Sequence, residues 1–230
     1  MTRQNVLIGG ICAALGASWF MMTLLPQIQL GGLQPAVNEE EGDIYPIPIG
    51  GIADQGRAVY AANGCFYCHT QQVKDGHAGT DLDRKWGLRR SVARDYIYDK
   101  PVMLGAMRIG PDLANVGIRR QEGAFEYSPE WHYLHLYNPR TVRPGSIMPS
   151  FRYLFVQRKI VGQRSLDALD LKGPDAPPEG DEVVPNADAR ALVGYLQSLN
   201  RSNPLPEAKG DAVAAAPAPP AAAASPEVKP

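Results

Sequence analysis

Cysteine is scarce in this chain, with three among 230 residues, and one of them, Cys12, lies far from the pair Cys65 and Cys68. No second cysteine pair can be built, so a four-thiolate zinc cage is excluded. An excess of charge is missing as well: 23 basic against 24 acidic residues give a formal net charge of −1. Without a global basic field there is no footprint of nucleic-acid binding. A hydrophobic content of 44% is ordinary for a globular protein and identifies nothing by itself. What the chain has in quantity is proline (21) and glycine (23), a composition of long loops and tails around a modest helical core.

The informative stretch is Cys65-Phe66-Tyr67-Cys68-His69. A C-x-x-C-H run is the attachment pattern of a c-type haem: two thiols three positions apart each add to one porphyrin vinyl group, and the adjacent imidazole falls beneath the iron. Two other chemistries use C-x-x-C. Thioredoxin-like redox sites lack the immediate histidine and need a βαβ pattern absent here, and zinc needs two further ligands at a matching spacing. The residues therefore predict one haem c, bound through Cys65 and Cys68, with His69 as proximal ligand. A covalently held cofactor also supplies apolar interior that a small domain lacks.

A single long uncharged run, Val6 to Leu25, follows Arg3. Twenty residues at ~1.5 Å each span about 30 Å, the hydrocarbon thickness of a bilayer, and predict a transmembrane helix. The competing reading is a cleavable signal peptide with Ala14-Leu15-Gly16 near the cut. Apolarity continuing through Trp19-Phe20-Met21-Met22 to Leu24-Leu25 favours an uncleaved anchor. With Arg3 on one side and Glu39-Glu40-Glu41 and Asp43 on the other, the positive-inside tendency leaves the amino terminus cytoplasmic and the rest outside. Cys12, inside the run, reads as a small buried hydrophobe; Ile11 directly before it argues against a lipidated cysteine.

The expected organisation is an anchor over 1–26, a Gly/Pro/acidic linker over 27–51, a haem domain over 52–203 and a tail over 204–230. In the tail, seventeen of twenty-seven residues are Ala or Pro, a composition that cannot bury a core. Asp54 is placed to cap a helix that runs to the stop at Asn63-Gly64 and delivers the two cysteines. A second helix runs from about Asp188 to Leu199, with apolar residues at helical spacing. Gly56 and Gly194 would permit the two helices a close crossing, with Tyr60 or Tyr195 alongside.

A helix leading into C-x-x-C-H and a terminal Ala-Leu-Val-Gly-Tyr-Leu-Gln-Ser-Leu helix resemble the class I cytochrome c fold over about Ile52 to Arg201. The fold class expected is therefore mainly α, a class I cytochrome c-like haem domain with long loops behind one transmembrane helix. By the same resemblance, Gly110-Pro111-Asp112-Leu113 matches the family's Gly-Pro-x-Leu loop. Pro111 would then accept a hydrogen bond from the proximal histidine and raise its basicity. Haem attachment on the outer side of the bacterial inner membrane is the family's habit, and it agrees with the charge topology.

For the sixth ligand, a thioether favours reduced iron. Met148 lies in the proline-bracketed loop Arg143-Pro144-Gly145-Ser146-Ile147-Met148-Pro149, which has little freedom to lose. Met103, Met107 and the histidines are the alternatives. His132 and His135 are three apart and can share a helix face without completing a metal set. His77 carries no assigned role, and Arg108, Arg140 and Arg143 are candidates for pairing with the haem carboxylates.

The anchor, Gly64 to Gln71, Asp99-Lys100-Pro101 with Gly105, Arg108 to Leu113, Trp131-His132 to His135-Leu136, Pro139-Arg140 and Met148-Pro149 together resemble the monohaem second subunit of cbb3-type cytochrome c oxidases. Departures from that pattern are Gln72-Val73-Lys74-Asp75, the stretch Gln121 to Phe125, the 167–185 segment expected as a loop, and the tail. The resemblance implies an electron-transfer subunit that relays electrons to the catalytic subunit for oxygen reduction, with no catalytic residues of its own. Its partners would be a haem-copper catalytic subunit, a dihaem cytochrome c subunit and the lipid bilayer. The cytochrome c subunit of a nitric oxide reductase and a stand-alone tethered carrier or haem sensor are the alternatives.

Overall fold

The computed structural model describes residues 2–37, 42–118 and 127–208. These divide into two compact units. Most of the 204–230 tail and the 121–125 stretch fall outside the described residues.

The first unit holds residues up to Pro48 together with Val92–Val102. Thr2 caps α1 (Arg3–Trp19), its side chain accepting from Asn5 N at 3.4 Å. A π-helical turn, Phe20–Leu24, joins it to α2 (Leu25–Leu30), with Leu25 N donating to Phe20 O. Pro26 explains the wide turn: it has no N–H for the i−4 bond, and a π-bulge re-spaces the ladder without breaking the helix. The result is one continuous 28-residue helix, Arg3–Leu30, of mean hydropathy 1.8 over its most apolar window and with none of that window buried. It is long and apolar enough to cross a membrane. Beyond it, β1 (Ala36–Val37) pairs antiparallel with β2 (Ile44–Tyr45). Tyr45 Oη donates to Asp95 Oδ1 at 2.8 Å, and Asp95 Oδ2 accepts from Val92 N at 2.8 Å. Residues 92–102, expected within a continuous 52–203 domain, group instead with this unit, because the buried Asp95 draws its partners from both of its segments.

The second unit holds Ile49–Ser91 and the described residues from Met103 onward. Its frame is the crossing of α3 (Ile52–Ala62) and α7 (Ala187–Ser198). A Cβ on Gly56 would stand 1.8 Å from Ala191 O and 2.7 Å from Tyr195 Cβ, so the helices touch backbone to backbone there. Gly194 is less constrained than expected, since its Cβ would meet only Ile52 Cγ2 at 3.3 Å. Both tyrosines pack at the crossing, ring centroids 5.3 Å apart. Asp54 does not cap α3: the helix begins earlier, with Gly51 at the cap (φ 63°), and Asp54 falls in the first turn, where a carboxylate suits the helix dipole. At the other end Gly64, φ 67°, takes the left-handed stop and starts the single turn α4 (Cys65–Cys68).

Across the core lie α5 (Pro129–Tyr137), capped by Ser128, and the short α6 (Pro139–Val142). The 167–185 segment contains a strand. β4 (Asp181–Pro185) pairs antiparallel with β3 (Phe155–Lys159), Phe155 opposite Pro185. Glu182 pins the intervening chain, accepting from Ser165 N and Oγ and from Arg158 Nε, which holds its carboxyl down at about 2. The tail, too, starts later than its composition suggested: Leu205 and Ala208 are buried, and Arg90 Nη2 donates to Glu207 O at 2.7 Å.

Candidate haem site

Gly64 turns the chain so that α4 sets Cys65 and Cys68 on one helical turn, with His69 leaving it in extended conformation. Cys65 and Cys68 are not joined to each other by a disulfide. Burial pushes the Cys65 thiol up to about 11.

The segment from Leu104 to Leu113 is laced along the motif by backbone bonds. Ala106 N donates to Phe66 O (2.9 Å), Gln71 N to Leu104 O (2.9 Å), Gly110 N to Cys68 O (2.9 Å) and Leu113 N to Thr70 O (2.7 Å). Asp112, fully buried, locks the register: it accepts from Thr70 Oγ1 (2.6 Å) and Gln72 N (2.7 Å), and its other oxygen from Ala114 N (2.9 Å). This lacing brings Pro111 O to 2.8 Å from His69 Nδ1. Since a carbonyl only accepts, the imidazole proton sits on Nδ1, and Nε2 keeps its lone pair for a metal. Gly110 lies against the ring itself, where a Cβ would be 2.2 Å from His69 Cε1 and 2.7 Å from Nε2.

Cys65, Cys68, His69, Pro111 and Met148 all line one cavity of about 590 Å³, within the size range of cofactor sites. Its walls are mainly apolar, with Leu113, Val116 and Leu136 facing Leu192 and Leu196 of α7. Of the alternative thioethers, Met103 packs at the edge of the core and Met107 is exposed; neither lines the cavity. Tyr195 ties α7 to the stretch after the motif, exchanging hydrogen bonds with the Gln71 amide (2.9 and 3.1 Å). Among the described residues, no three His, Cys, Asp or Glu side chains gather as a metal cage.

His132 and His135 of α5 share a face and both line the cavity. Burial, the largest cause in each case, lowers both to about 4, so they are neutral at physiological pH. Of the three candidate arginines, Arg143 lines the cavity. Arg108 is engaged by Asp81 and the Gln72 carbonyl, and Arg140 is exposed and outside the lining. His77 sits in an Asx turn, its N–H donating to Asp75 Oδ1 at 2.9 Å. Two lining residues, Trp86 and Tyr127, carried no sequence signal, since nothing local to either sequence position points at the motif.

A family model matches the chain: residues 34–170 fit "Cytochrome C oxidase, mono-heme subunit/FixO". The chain belongs to this family. The match covers more than half of the chain, and it includes the C-x-x-C-H motif, Pro111, α5 and Met148. A comparison with curated proteins found no match. Membership makes this FixO chain a mono-haem subunit of a cytochrome c oxidase. The residues at the cavity suit that cofactor: two thiols on one turn, an imidazole oriented through its Nδ1 by Pro111 O, and room behind them. Within this FixO chain, Gly110→Ala is expected to displace the His69 ring, because the clash is with a ring held by Pro111. A weakened or high-spin axial signature in the haem absorption spectrum is the readout.

Proposed function

We propose that this chain is the membrane-anchored electron-relay subunit of a cbb3-type haem-copper oxidase. In this reading the second unit is a class I cytochrome c-like domain with haem c bound through Cys65 and Cys68. His69 and Met148 would hold its iron. The observation that carries the reading is the convergence of the C-x-x-C-H turn, the Pro111-oriented His69 and the Met148 thioether on one apolar cavity. The haem would supply reversible one-electron transfer. The chain's residues set its conditions: Pro111 O orients His69 and makes it a stronger donor, and the Pro144–Pro149 loop presents a soft thioether that favours the reduced state. With a ligand for each face, oxygen chemistry would fall to the haem-copper partner, and a dihaem cytochrome c subunit or a soluble cytochrome would be the donor. The Arg3–Leu30 helix would hold the haem domain on the periplasmic side, the amino terminus in the cytoplasm.

Purification of the membrane complex through this chain tests the proposal. Covalent haem on this polypeptide, a co-purifying haem-copper subunit and oxygen uptake are expected. Consumption of nitric oxide without oxygen uptake, or an isolated monomer, would overturn it.

A further inference from the structure

The cavity has one polar wall, and the cofactor reading does not account for it. His132 is 4% exposed, yet its Nε2 has no hydrogen-bond partner in the protein; Nδ1 of His135 is equally buried and equally without one. A buried polar atom left without a partner forfeits its hydration with nothing in return. Two on one face of a nine-residue helix, both lining the cavity, mark a place where something else completes the bonds. Beside them, Arg143 on the exposed rim donates to Tyr127 Oη at 3.2 Å, and Trp131 stacks on His135 with centroids 4.7 Å apart. His135 lies within electrostatic reach of both His69 and Arg143, so this wall is continuous with the axial ligand's surroundings.

The chemistry of the missing partner follows from how a haem c is held. Its vinyl edge is bonded to the cysteines; the opposite edge carries two carboxylates. Carboxylates placed in an apolar cavity need donors or a cation to offset lost hydration. Among the described arginines weighed for that role, Arg143 lines this cavity while Arg108 is committed to Asp81 and Arg140 is exposed and outside the lining. Resting on the haem reading above, we propose that Arg143, His132 and His135 form the receptor for the two haem carboxylates. Arg143 is the cation at the rim and the two imidazoles are neutral N–H donors from within. They act on the iron through those carboxylates and are therefore positioning residues. A guanidinium beside a carboxylate removes negative charge near the iron and favours its reduced form.

The test uses the purified membrane complex, with resonance Raman spectra of the carboxylate bending region and optical redox titration of this haem. Arg143→Gln is expected to shift the bending band and lower the midpoint potential, while the thioether-to-iron absorption band stays. His132→Phe, close in shape but without a donor, is expected to shift the bending band also, and His132→Gln, which restores an N–H, to return it toward wild type. Arg140→Gln should change neither quantity. Unchanged band and potential in Arg143→Gln would overturn the proposal. Because Arg143 is on the rim, that variant decides the matter even where His132→Phe fails to retain haem. A wild-type chain with no covalent haem would instead sink the cofactor reading itself, so the two failures are distinguishable.

Discussion

Met148→Ala is expected to abolish the thioether-to-iron absorption band at the red end of the visible spectrum and to lower the haem midpoint potential. The argument is geometric. Three methionines lie beyond the Arg3–Leu30 helix, and of these Met148 alone lines the cavity shared with His69; Met107 is exposed and Met103 packs at the core's edge. Pro144 and Pro149 bracket its loop, so little conformational entropy opposes ligation. Axial ligands set haem potentials over a range of about 0.8 V, and loss of a soft thioether should move this one down. Spectra and redox titration of the purified complex give both readouts. A retained band in Met148→Ala would show that another thioether, Met103 or Met107, fills the sixth site.

The second large effect is on folding. Gly56→Ala is expected to destabilise the haem domain by at least about 3 kcal/mol, seen as a fall in the thermal midpoint of the haem-loaded chain. The added methyl would sit 1.8 Å from Ala191 O and 2.4 Å from Ala191 C. Those are backbone atoms of α7, with no rotamer to turn aside, so the crossing itself must open. Opening it disturbs Tyr60, Tyr195 and Leu192, each about 1% exposed, and with them the wall of the cavity. Gly194→Ala is the control. There the nearest atom is the end of the Ile52 side chain at 3.3 Å, and the gain in helix propensity, about 1 kcal/mol, offsets the crowding. Equal losses in the two variants would contradict the crossing geometry.

Much of the site was legible because its parts are close in sequence or carry a strong local signal. The helix ends at Gly64 and the α7 periodicity were readable from spacing, and so was the single apolar run. The Asp54 cap was misplaced, because Gly51, at a positive φ of 63°, starts the helix without any side-chain acceptor. Pairing of 155–159 with 181–185 gave no signal: more than twenty residues separate the strands and no tight-turn sequence joins them. Likewise the grouping of 92–102 with the first unit depends on Asp95 meeting Tyr45, a contact fifty residues apart in the chain.

What the sequence by itself determined is the local chemistry, Cys65, Cys68 and His69 on one turn and its exit, together with membership of the mono-haem oxidase subunit family. Five adjacent residues need only one helical turn to present their side chains together. What only the tertiary structure decided is which distant groups share a cavity with them: Pro111 O meets His69 Nδ1, Met148 lines the cavity while Met103 and Met107 do not, and Arg143 lines it while Arg108 does not. Those choices rest on long-range bonds, above all Asp112 to Thr70 and Gln72, and on the Gly56 contact that sets how closely α3 and α7 cross.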